Sequence, residues 1–145
     1  MKELTIYRCN TCGNLICMLE DSGVVPVCCG QSMQKLSVNS TDASIKKHVP
    51  VIKAEDSQVR VYIGEITHPM LPDHHIEWIF LLTSQGFYCR SLKADEYPEA
   101  VFTVYPDETV LSAYAFCNLH GLWVKYGETV PQSSDTVSSR KGGLL

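Results

Sequence analysis

Apolar and polar positions alternate along most of this chain. In QVRVYIGEI (58–66), Val59, Val61 and Ile63 fall on one face and Arg60 and Tyr62 on the other, the period of a half-buried strand. HIEWIFLLT, AVFTVYP, VLSAYAFCN and LWVKY are rich in β-branched and aromatic residues and predict further strands. Turn signals such as Ser84-Gln85-Gly86 and Pro106-Asp107 separate them at intervals of roughly 8–12 residues. No stretch keeps a helical period for about ten residues. About seven short strands in the last two thirds of the chain predict an all-β, antiparallel sandwich of the immunoglobulin kind. The pattern alone leaves another β-sandwich or a barrel open.

The first third reads differently. Residues 1–36 hold five of the seven cysteines and none of the five histidines, which all fall later. LTIYRC and LICMLE predict two short strands around the turn at Cys12-Gly13-Asn14, and VVPVCCG a third element ending at Gly30. So short a module cannot build its own core and needs a metal or another staple. The polar stretch SVNSTDAS (Ser37–Ser44) marks the boundary, giving a small metal-bound domain over 1–36 and a β domain over 37–126. From Gly127 to the end, GETVPQSSDTVSSRKGGLL is rich in Ser, Thr and Gly and predicts a flexible tail over 127–145.

Composition narrows the function classes. With 45% apolar and 19% charged residues, a net charge of −4 and a pI near 5.7, the chain has no basic footprint for nucleic acid. The longest apolar candidate, IEWIFLL, is interrupted by Glu77 and falls far short of the roughly 18 residues of a membrane span. MKELTIYRCN lacks the apolar core of a secretory signal. Seven cysteines, an odd number, without such a signal point to a reducing compartment, the cytoplasm, where close Cys spacings mean metal more often than disulfide.

Cys9-x-x-Cys12 and Cys28-Cys29 supply four thiols that a hairpin could bring around one tetrahedral ion. Neighbouring strand residues point to opposite faces, so the adjacent pair can share an ion only if the backbone distorts there. Spacing leaves zinc and iron open. A redox Cys-x-x-Cys lacks its βαβ context, and Cys17 reads as a core or surface thiol. The histidines fall in KKHVP (His48), THPM (His68), DHHIEW (His74, His75) and CNLHG (His120), the last three residues after Cys117. Their spacing fits no zinc finger. A nucleophilic Cys117–His120 pair would need an orienting group that the sequence does not display. A mixed imidazole–thiolate metal site remains.

Taken in order, CNTCG with CCG, KHVPV, HPM, HHIEW and CNLHGLW resemble desulfoferrodoxins, the two-iron superoxide reductases, over Met1 to about Tyr126. The resemblance implies a desulforedoxin-like first domain whose iron is held by Cys9, Cys12, Cys28 and Cys29. It implies a second iron with His48, His68, His74 and His120 around it and Cys117 axial, the first histidine of the HHIEW motif being the ligand. It further implies one-electron reduction of superoxide to hydrogen peroxide without oxygen release, an immunoglobulin-like second domain, a rubredoxin-like electron donor and a homodimer. Lys47 matches the family lysine that attracts the anion and assists protonation. Relatives commonly read Glu-Lys-His, with the glutamate able to bind the oxidised iron. Lys46 stands there instead, so the oxidised site is expected to be five-coordinate or capped by water, hydroxide or an added anion. An electron-transfer protein built on the tetrathiolate iron, or a colourless zinc-stabilised module, are the competing readings.

Overall fold

The computed structural model describes residues 3–40 and 43–127, so all but Gly127 of the expected tail lies outside the described residues. Seven antiparallel strands form two facing sheets. One sheet runs in the order β10 (Glu99–Thr103), β7 (Gln58–Ile63), β6 (Pro50–Glu55). The other runs β12 (Gly121–Tyr126), β11 (Val110–Cys117), β8 (Ile76–Thr83), β9 (Gly86–Ser91). This is the immunoglobulin-like sandwich that the alternation predicts. Val59, Val61 and Ile63 of β7 point inward against Ile79 and Leu81 of β8 and Ala113 and Ala115 of β11.

The strands β6 and β9, which the pattern does not single out, are the ones with little to hide. Both are edge strands and mostly exposed, so PVIKAE and GFYCRS carry no clean alternation. An edge also tolerates Pro50, which has no N–H to give a ladder. A single helical turn, α1 (Ile45–His48), precedes β6.

Residues 3–36 form short strands: β1 (Ile6–Arg8), β2 (Leu15–Cys17), β3 (Val27–Cys28), β4 (Gln31–Ser32) and β5 (Gln34–Lys35). They make a β2-β1-β5 sheet and a β3-β4 hairpin. The small sheet lies on the outer face of the four-stranded one. Leu4 and Ile6, with Leu15, Cys17, Leu36 and Val38, pack on Leu82, Tyr114, Phe116, Leu122 and Val124. Strand β11 is therefore covered on both faces, which is why VLSAYAFC reads as a nearly continuous apolar run.

Candidate metal centres

Two turns of the same design begin the two sites. Cys9-Asn-Thr-Cys12-Gly13 joins β1 to β2, and Cys117-Asn-Leu-His120-Gly121 joins β11 to β12. In each, the glycine takes a left-handed φ, +82° at Gly13 and +80° at Gly121, which lets the chain turn back into the next strand. In each, the backbone N–H groups two and three residues on hydrogen-bond to the leading sulfur: those of Thr11 and Cys12 to Cys9, those of Leu119 and His120 to Cys117. Such donors favour a thiolate. Only the shared spelling CN-x-[C/H]-G signals this in the sequence.

In the first centre the N–H of Cys12 lies 3.4 Å from Cys9 Sγ and, as the largest influence, helps hold that thiol down at about 6. The second pair arrives on the β3–β4 hairpin. Its two-residue loop is Cys29-Gly30, with φ +53° and +74°, the signature of a type I′ turn. This supplies the backbone distortion that an adjacent Cys-Cys pair requires. All four sulfurs lie within 4.8 Å of one another. Cys12 and Cys28 Sγ are 3.7 Å apart, close to the ~3.8 Å edge of a tetrahedron with metal–sulfur bonds of about 2.3 Å. Hydrogen bonding with Cys12 and then Cys9 pushes the Cys29 thiol up to about 12. Four sulfurs this close ionise together only with a cation among them, so the set fits a tetrathiolate metal.

The second centre lies at one end of the sandwich. His48 ends α1, His68 follows β7, His74 precedes β8, Cys117 ends β11 and His120 lies in the turn to β12. The four rings form a square: centroids of successive neighbours are 4.6 Å (His48–His68), 4.7 Å (His68–His74), 5.1 Å (His74–His120) and 4.9 Å (His120–His48) apart. Neighbours stand edge to face at 77–89°. Across the square His48 and His74 are 6.3 Å apart. The donor atoms of His48, His74, Cys117 and His120 fall within 4.8 Å of one another, and His68 joins them with Nε2 3.2 Å from His48 Nε2. Cys117 Sγ lies 3.8 Å from His120 Nδ1 and the residue is fully buried, while His74 and His120 keep some exposure.

Backbone carbonyls fix the tautomers. His48 Nδ1 lies 2.8 Å from Ser44 O and His68 Nδ1 2.7 Å from Pro69 O. A carbonyl only accepts, so both protons sit on Nδ1 and both Nε2 lone pairs face the centre. Two lone pairs at 3.2 Å repel unless a cation lies between them. His74 Nε2 is likewise buried without a hydrogen-bond partner. His48 and His120 approach to 3.1 Å, and a square with such edges has its centre about 2.2 Å from each corner, near a metal–imidazole bond length. Burial, ahead of the neighbouring rings, lowers the proton affinity of His48, His74 and His68, the last to about 4, so these rings are neutral ligands at neutral pH.

Surrounding residues hold the ligands in place; two of them, Asn118 and Trp123, lie inside the CNLHGLW motif, but spacing alone does not mark them as supports. His48 stacks on fully buried Trp123 at 4.8 Å. Asn118 clamps the His74 segment to the Cys117 turn: its side-chain amide donates to Asp73 O at 3.0 Å and its Oδ1 accepts from His75 N–H at 2.9 Å. His75 itself turns away, with Nδ1 3.0 Å from Leu71 O, and stays outside the cluster. Lys47 is exposed, and its charge disfavours protonation of His48 and His74.

Comparison with known proteins agrees with this geometry along the chain. The family model described as Desulfoferrodoxin matches residues 40–126, and that of the Desulfoferrodoxin N-terminal domain matches residues 1–36. A desulfoferrodoxin homolog of Archaeoglobus fulgidus is 41% identical over 120 residues, covering 83% of this chain and 94% of that protein. The desulfoferrodoxin of Desulfarculus baarsii is 40% identical over 122 residues, covering 84% and 95%. The crystal structure of the superoxide reductase from Treponema pallidum superposes with a TM-score of 0.72 at 35% identity, over 85% of this chain and 98% of that one. Matched through both of its modules, and by relatives aligned over nearly their whole lengths, the chain belongs to the desulfoferrodoxin family.

Proposed function

We propose that this chain is a superoxide reductase, converting superoxide to hydrogen peroxide with one electron and two protons and without forming oxygen. The observation that carries the reading is the square of four imidazoles with one buried thiol beside it, in which His48 and His68 turn bare Nε2 atoms toward each other at 3.2 Å. Iron is the metal of both centres: Cys9, Cys12, Cys28 and Cys29 hold the first, and His48, His68, His74, His120 and Cys117 the second. Bound at the second centre, iron supplies the electron and a Lewis-acidic position for a small anion.

The residues do the rest. Neutral imidazoles add no negative charge, so one thiolate against a divalent ion leaves the site cationic and attractive to superoxide. Cys117, fully buried beside the imidazoles, would hold the iron through its thiolate and supply electron density to it. Lys47, beside His48, raises the local concentration of the anion and organises water for the two protons. The fixed Nδ1–H to carbonyl bonds of His48 and His68 keep the nitrogens aimed at the ion through turnover.

The reading extends to the setting. Electrons come from a rubredoxin-like donor, the first iron serves as relay or as staple, and the protein works as a homodimer in the cytoplasm. No helix among the described residues is long and apolar enough to cross a membrane. The working parts are a desulforedoxin-like module over 1–36 and a catalytic domain over 37–126.

Visible absorption before and after mild oxidation tests the proposal. A red-region thiolate-to-iron band should appear on oxidation beside the absorption of a ferric tetrathiolate. Cys117→Ser should lose that band and superoxide reduction while keeping the tetrathiolate spectrum. A protein made with ample iron that is colourless in both states would leave only the zinc-stabilised structural reading.

A further inference from the structure

Five of the seven cysteines are taken up by the two metal clusters, which leaves Cys17 and Cys89. The fold sets these two on the same side of the four-stranded sheet. Cys17 ends β2, opposite Ile6 of β1, and its side chain joins the cluster of Leu4, Ile6 and Leu15 that lies on Trp78, Phe80 and Leu82 of the four-stranded sheet. Cys89 stands in β9 directly opposite Phe80. Cross-strand partners share a face, so Cys89 is on the side that the N-terminal module covers. The order of the strands agrees. Past β5, Val38 bridges to Leu122 of β12, at one edge of the sheet, so β2 on the far side of the small sheet lies toward β9 at the other edge. Desolvation, and after it the charge of an ionised Cys17, disfavours ionisation of Cys89.

We propose that Cys17 and Cys89 are a peroxide-modified thiol pair, forming a disulfide that fastens the N-terminal module to the edge of the four-stranded sheet. Cys89 is the more exposed and reacts first. Its sulfur attacks one oxygen of hydrogen peroxide, the O–O bond breaks, and Cys89 becomes a sulfenic acid with release of one water. Cys17 sulfur then attacks the sulfenic sulfur, the S–S bond forms, and the oxygen leaves as a second water. Two thiols lose two electrons and two protons, and one peroxide becomes two waters. Burial raises both thiols above their ordinary range, so little thiolate is present at neutral pH and the reaction is slow. The bond therefore accumulates under sustained peroxide and not in a single turnover.

For the origin of the oxidant this inference rests on the proposed superoxide reduction; the thiol chemistry is tested separately with added hydrogen peroxide. The full-length, iron-loaded protein is exposed to excess hydrogen peroxide, quenched by alkylation under denaturing conditions and digested. The expected result is a linked peptide pair containing Cys17 and Cys89, abolished by prior reduction with a dithiol. Cys17→Ser should leave Cys89 as a sulfenic acid trapped by dimedone, and Cys89→Ser should give neither link nor trapping at Cys17. Both variants are checked for an unchanged visible spectrum. If residues 17 and 89 stay free while other cysteines oxidise, or each reaches the sulfinic state without linking, the pairing is wrong. A link in a protein that fails to reduce superoxide would support the pairing and sink the functional reading, and activity without a link would do the reverse.

Discussion

At Gly64 an added methyl group would lie 2.6 Å from the carbonyl oxygen of Lys47 and 2.3 Å from that of Ile66, at a φ of +88°. The position lets the helical turn before His48 sit against the end of β7. Gly64→Ala should therefore cost about 1–3 kcal/mol for the backbone alone. It should also move His48, so iron content and the red-region band should fall in the second centre while the tetrathiolate absorption stays. A different residue-level effect belongs to Lys47, for which we propose a steering role. Lys47→Ala should slow superoxide reduction on the order of tenfold and flatten its dependence on ionic strength, read by pulse radiolysis at varied salt. Lys46 was legible as a departure from the Glu-Lys-His pattern of relatives. With no carboxylate there, azide should perturb the spectrum of the oxidised second centre. A ferric site shown by spectroscopy to hold a protein carboxylate would overturn that expectation.

Among the elements, the first ligand-bearing turn was readable and the edges were not. CNTCG announces its turn at Cys12-Gly13-Asn14 and its cysteine spacing suggests the first cluster, whereas the matching turn at CNLHG shows only in the structure, where Gly121 takes the same left-handed φ. Strand β7 was readable because one of its faces meets water. Strands β6 and β9 were not, since edge strands bury too little to impose a period. Their neighbourhood is held by polar contacts: Glu108 accepts from Tyr88 Oη at 2.7 and 3.0 Å, from Tyr105 N–H at 2.8 Å and from the Thr83 hydroxyl. Desolvation pushes this carboxyl up, but the three partners outweigh it and its pKa is lowered. A lowered carboxylate stabilises the fold above its unfolded pKa, and that contribution is lost as pH falls through the folded value. Glu108→Gln should thus be less stable than the parent near neutrality, by about 1 kcal/mol. In urea titrations across the acid range, the two proteins should converge only once the pH is below the lowered pKa of folded Glu108. A gap that persisted there would rule out the charge as its source.

For the whole molecule, the decisive feature is one shared core. Tyr114 Oη accepts from Leu4 N–H at 3.3 Å, so the module is tied down by a hydrogen bond as well as by packing, and just past its end Asn39 pairs with Val124 through its side chain. Ile6 is 2% exposed in the cluster that spans both parts. Ile6→Ala should cost about 2–4 kcal/mol. It should lower the unfolding temperature seen by far-UV circular dichroism and by tetrathiolate absorption together. If the tetrathiolate bleached many degrees earlier than the β-sheet signal was lost, the module would be an independent unit.

By itself the sequence determined the local terms: strand periodicity, the turns that need glycine, and which side chains can ligate a metal. These depend on neighbours within a few residues, which is the range that spacing and alternation encode. Only the tertiary structure decided the rest. It brought His48, His68, His74 and His120 into one square from four separate segments, fixed their tautomers through the carbonyls of Ser44 and Pro69, and kept His75 out. It also set Cys17 and Cys89, 72 positions apart in the chain, on the same side of the four-stranded sheet. Contacts at such separations arise from how sheets stack and where their edges fall, and no local pattern carries that information.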